Sequence, residues 1–346
     1  MRRCCAACFG GGDLPEIGDL GSIDWERFLA LARRHRVQGL CWRGIERLQL
    51  SPPQDVAAAF QAERRAIAAE GLRALAVCRE LHFNFSEAGV PLLFLKGLTV
   101  GRLAYDDPFL KMGWDVDILV SPADLPAAAL LLIRLGYQPA TPPSVHAIRE
   151  WHRTAKEAVW VKNGSPPIEL HTRLVDNPEL LDRLDPFAAP RTVEVVPGVR
   201  LATLGREELF AYLAVHGASS AWFRLKWLCD FAALLAVETS GEMEALHRRA
   251  LELGAGRASA WALLLCQRLF GIAHDVVERL GLSNELANRR LLQLGLAELA
   301  DEMEPTQQFL GTARIHFAQL LLKPGLGFAA GEVRRQVRAM LRDPVG

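Results

Sequence analysis

Three acidic side chains stand at spacings that strands would bring to a common face. In Trp114-Asp115-Val116-Asp117-Ile118-Leu119-Val120 the alternation of a strand turns Asp115 and Asp117 one way and Val116, Ile118 and Val120 the other. Carboxylates about 6 to 7 Å apart on one face repel each other unless a cation lies between them. Mg2+ suits such a pair, because it takes hard oxygen ligands and is usually held by one or two carboxylates plus substrate phosphates; Mn2+ is the alternative. Glu169, in Ile168-Glu169-Leu170-His171, repeats the design with apolar neighbours on the opposite side and would supply a third carboxylate. His171 shares the side of Glu169, either as a contact to phosphate or metal or as a hydrogen-bonded structural group.

Upstream, the apolar run Pro91-Leu92-Leu93-Phe94-Leu95 ends at Lys96-Gly97, just before a helical segment. A helix N-terminus offers unpaired backbone N–H groups to an anion, and a glycine there allows phosphate to approach the backbone closely. Lys96 adds a point charge. Lys111, in the loop before the acidic strand, is a further phosphate-binding candidate; its plain alternative is a solvent-facing loop lysine.

These residues need a sheet with helices around it. The residues 91–97 read as a buried strand and 98–105 as a short helix, with a loop at Asp106-Asp107-Pro108. The acidic strand follows. Pro122 is expected at the first turn of a helix running to Leu135, with Gly136 as its stop. Further strands are expected over 158–162, over 167–174 after the Asn163-Gly164 turn, and over 193–204. The fold class is therefore α+β, with a small mixed sheet flanked by helices.

On the N-terminal side, Asp24 is expected to cap a helix over WERFLALARRH, and a second helix is expected near 40–48. The Ala-rich stretch after Pro52-Pro53 reads as one long helix closed by Gly89. Beyond Gly205, apolar residues recur three or four apart, which predicts a helical C-terminal domain. The expected division is a loose leader over 1–22, a helical N-terminal segment over 23–90, the α/β core over 91–205 and the helical domain over 206–346. His216, Trp222, Arg224, Trp227 and Asp230 fall at helical spacing in that domain and read as core packing with a capped or paired charge. Cys4, Cys5 and Cys8 contain a C-x-x-C, but no second pair or His cluster follows to complete a zinc site.

Composition bounds the partners. Among 346 residues, Lys plus Arg (40) balances Asp plus Glu (40), so no global field draws the chain onto nucleic acid or an anionic membrane. No apolar run approaches the roughly 18 to 20 residues needed to cross a bilayer. The opening MRRCCAACFGGG is cut by glycines and Asp13 before a signal peptide could form. Seven cysteines without a regular framework fit a reducing cytoplasm.

LKGLTVGRLAYDDPFLKMGWDVDILV, followed by a helix, the Gly136-Tyr137 pair and IELHTRL, resembles an uncharacterised bacterial branch of the DNA polymerase beta-like nucleotidyltransferase superfamily. The resemblance covers mainly residues 91–174, with weaker echoes around 23–37 and 216–235. It implies that a turn after the first strand contacts phosphates, that Asp115 and Asp117 bind two metals and that Glu169 is the third acid. Two positions depart from the pattern. Lys96-Gly97 stands where that superfamily has Gly-Ser, and Lys111 stands where this branch is expected to have arginine. The implied activity is metal-dependent transfer of an NMP group from a nucleoside triphosphate to an unknown small-molecule, peptide or protein acceptor. The rival expectation is a catalytically inactive nucleotide-binding or regulatory module of the same fold.

Overall fold

A computed structural model describes residues 1–10 and 23–342. The chain is a mixed α+β protein, as expected, and its described residues group into two compact units.

One unit is built from residues 57–176 and 185–206 and holds the sheets. Its strands are β1 (Leu93–Phe94), β2 (Val116–Leu119), β3 (Gln138–Thr141), β4 (Glu157–Val161), β5 (Ile168–His171), β6 (Arg191–Val196) and β7 (Val199–Thr203). The first five form a mixed sheet in the order β1-β2-β5-β4-β3, and β6 with β7 forms a separate hairpin. Among these strands only β2 and β5 run parallel; their register pairs Val116 with Ile168, Asp117 with Glu169, Ile118 with Leu170 and Leu119 with His171.

Strand alternation explains why this face division is stable. Val116, Ile118, Ala158, Trp160, Ile168 and Leu170 are buried in one apolar cluster with Leu81 and Phe85 of the long helix and Leu125, Ala128 and Leu132 of the helix Leu125–Arg134. A one-residue slip of either strand would drive those apolar groups out and the acids in.

Several boundaries differ from the sequence reading. The acidic strand starts at Val116, so Asp115 precedes the ladder instead of lying within it. Pro122 stands ahead of its helix, which starts at Leu125 with Pro126 in its first turn, where a missing N–H costs nothing. The region 193–204 is two strands around Pro197-Gly198. The edge strand β3 and the helix Ile148–Thr154 escape the sequence reading, because their short, half-exposed patterns lack a clear period.

The other unit comprises residues 1–56, 177–184 and 207–346, and among its described residues it is helical. The expected loose leader is corrected over its first ten residues, which form the helix Arg2–Ala6 and bury Cys4, Cys5, Ala7, Cys8 and Phe9. That helix packs on Gln38–Arg47 so closely that a Cβ added at Gly44 would overlap the Cys4 carbonyl. The remainder of the expected leader, 11–22, lies outside the described residues. Asp24 caps the helix Trp25–Arg34 by accepting from the Arg27 N–H, as its position suggests. Residues 177–184 are tied to the helices by Asn177, which donates to Glu332 Oε2 at 2.6 Å, and by the Leu181 N–H, which donates to the Gly254 carbonyl.

Two histidines in this unit are held neutral. His35 accepts the Leu225 N–H at Nδ1, and His247 Nδ1 lies 3.0 Å from Ser259 Oγ. Burial, joined for His35 by the neighbouring Arg34 charge, lowers both from 6.5 to about 4. Well above pH 6.5 neither the folded nor the unfolded chain is protonated at these rings. Below it the unfolded chain takes up protons that the fold refuses, so stability falls between pH 6.5 and pH 4, by up to about 3 kcal/mol per ring. Urea titrations across that range are expected to show the midpoint dropping with acid, with a shallower slope in His247→Gln.

Candidate active site

The site lies on the face of the mixed sheet opposite its apolar cluster. Asp117 on β2 and Glu169 on β5 are register partners, and Glu157 on β4 is the partner of His171 on β5. Four polar side chains from three adjacent strands therefore share one face. His171 is fully buried, and its Nε2 lies 3.3 Å from Asp117 Oδ1, 3.3 Å from Glu157 Oε2 and 3.6 Å from Glu169 Oε2. Its Nδ1 is buried without a hydrogen-bond partner, so the polar contacts of the ring lie on the Nε2 side.

Lys96 sets a cation against these acids, with Nζ 2.8 Å from Asp117 Oδ1. Burial alone would raise the Asp117 carboxyl, but the Lys96 ammonium and His171 overcome it and hold the group well below the usual carboxylate range. Glu169 moves the other way: burial raises it, and the nearby charges of Asp117, Glu157 and Asp115 add to the shift against the opposing pull of His171. Burial opposes a charged His171, yet Asp117, Glu169 and Glu157 together raise its pKa.

The turn after β1 is built by two residues. Gly97 has φ +68° and ψ −122°, a conformation open to glycine and strained for other residues, and it stands at the N-cap of the helix Leu98–Tyr105 without a capping side chain. Apart from its chain neighbours, no atom lies within 4 Å of a Cβ added there, so the glycine serves the backbone angle and leaves space open before the turn. Thr99 secures it by donating to the Lys96 carbonyl at 3.2 Å.

Of the residues expected from sequence, Lys96 contacts Asp117 directly, and ligand atoms of Asp117, Glu169 and His171 lie within 4.8 Å of one another. Asp115 lies off the strand but lines a narrow recess of about 30 Å3 with Lys96, Gly97, Lys111 and Asp117. Glu157 is missed by the sequence reading, which starts this strand one residue later, at Ala158; the signal is present in the alternation of Glu157-Ala158-Val159-Trp160. Lys156, 2.6 Å from Glu157, and the His152–Thr172 pair at 2.9 Å are missed as well.

The donor set fits a divalent cation: Asp117 and Glu169 stand side by side on paired strands, with Asp115 beside them. In the other unit, Trp222 is fully buried and Arg224 pairs with Glu304 at 3.1 Å, in keeping with the packing role expected for that segment.

The chain matches the family described as uncharacterised nucleotidyltransferase over residues 21–271, most of its length, and belongs to that family. No curated protein and no solved structure matches it. No helix among the described residues is long and apolar enough to cross a membrane.

Proposed function

We propose that the chain is a metal-dependent nucleotidyltransferase that moves an NMP group from a nucleoside triphosphate to a small-molecule, peptide or protein acceptor. The observation that carries this reading is the register pairing of Asp117 with Glu169 beside the Lys96-Gly97 turn. Divalent cations, Mg2+ or Mn2+, supply charge neutralisation on the triphosphate and activation of the acceptor oxygen when bound.

The chain's own residues do the rest. Asp115, Asp117 and Glu169 hold the cations, and the N–H groups at the Gly97 turn bind phosphate oxygens, with Lys96 and Lys111 adding positive charge. An acceptor hydroxyl attacks the α-phosphorus, the bond to the β-phosphate oxygen breaks, and pyrophosphate leaves. Glu169, or one of the Asp115 and Asp117 pair, takes the hydroxyl proton and passes it to solvent. The free cysteines support a reducing, cytoplasmic setting.

A second reading has one observation in its favour. The Lys96–Asp117 ion pair already satisfies an acid that catalysis needs for a cation, which suits a module that binds nucleotide without turnover. Calorimetry and pyrophosphate release with ATP, CTP, GTP and UTP in Mg2+ separate the two. The transferase reading expects both signals with at least one nucleotide and an acceptor extract; binding alone favours the module, and neither signal overturns both.

A further inference from the structure

We propose that Asp117, Glu169 and His171 form an inner cation site whose imidazole donor selects Mn2+ over Mg2+. This rests on the metal-dependent reading above for its use, but not for its existence.

The argument starts from spacing. With metal–ligand bonds of roughly 2.1 Å, neighbouring ligands of an octahedron lie about 3.0 Å apart. His171 Nε2 stands 3.3 Å from Asp117 Oδ1 and 3.6 Å from Glu169 Oε2, and the three ligand atoms lie within 4.8 Å of one another. Contraction to that spacing closes them around one ion. The ring is held by its position: it is fully buried, it belongs to a paired strand, and its Nε2 already points among the acids.

The donor types then set the preference. Mg2+ favours oxygen and retains its waters, whereas imidazole nitrogen adds more to the binding of a first-row transition ion, of which Mn2+ is the weakest binder and the nearest to Mg2+ in its other ligands. A site made only of Asp115, Asp117 and Glu169 would hold little preference of this kind. Glu157, 3.3 Å from the same nitrogen, is a positioning residue here and adds negative charge beside the ring. On cation binding the Lys96 ammonium leaves Asp117 Oδ1 free for the ion, and a proton leaves Nε2 to solvent.

The test uses the full chain, stripped of metal, with Mn2+ alone as probe. Pulsed EPR of the Mn2+-loaded protein is expected to show nitrogen coupling from a directly bound imidazole, and calorimetry is expected to give roughly tenfold or more tighter binding of Mn2+ than of Mg2+. In His171→Gln the coupling disappears and Mn2+ affinity falls by roughly tenfold or more, while Mg2+ affinity changes by less than about threefold. Absence of nitrogen coupling in the unaltered protein, or equal affinity for the two ions, overturns the proposal even if the variant fails to fold. Coupling without nucleotidyl transfer would overturn the functional reading and leave this site standing; transfer without coupling would do the reverse.

Discussion

Asp117→Asn is expected to lower NMP transfer by about 10³-fold or more, equivalent to about 4 kcal/mol of lost transition-state stabilisation. Asp117 is the group on which Lys96 and His171 both converge, and its strand partner is Glu169. Asparagine keeps the shape and removes the charge. Because the change also takes from the Lys96 ammonium its buried carboxylate, some stability is lost with it. Asp115→Asn provides the control: Asp115 is only partly buried and lies outside the ladder, so its variant should keep the thermal transition while losing transfer. Radiolabel transfer from an α-labelled triphosphate, measured beside thermal melting, checks both. Full activity in the double variant would remove the site from consideration.

Trp222→Ala is expected to cost about 3 to 5 kcal/mol of stability, the usual loss for deleting a buried aromatic side chain. The indole is fully buried, and it covers Gly217 so closely that an added Cβ would overlap the ring. It also meets Phe231 edge-on at 6.1 Å. The backbone enters this position with positive φ at both Ala221 (45°) and Trp222 (57°), a conformation that packing of the ring must offset. Trp222→Phe keeps most of the apolar surface and deletes an indole N–H that is buried without a partner, so it should lose much less. Urea denaturation of the two variants is the measurement, and equal losses would show that ring burial is not what holds this turn.

Much of the site is legible in the sequence because its signals are local. The alternation around Asp117 and Glu169, and the strand–Lys96-Gly97–helix order, each lie within a few residues of one another. Asp115 reads as part of the strand because alternation alone cannot say where a ladder begins; that depends on the partner, whose pairing starts at Val116 with Ile168. Glu157 is hidden for a related reason. Nothing near it in sequence points to His171, and the antiparallel register of β4 and β5 creates the contact. The first ten residues mislead because small side chains running into glycines read as loose chain, whereas Gly44 on another helix provides the close seat that orders them.

The parallel pairing of β2 and β5 also bears on how the molecule is made. A chain emerging from the ribosome completes β2 early, but its partner arrives only after the intervening helices and strands have been synthesised and folded back. A nascent or truncated product ending before Ile168 therefore carries Asp115 and Asp117 without Glu169 or His171, and the acidic cluster is assembled only once synthesis has passed that point.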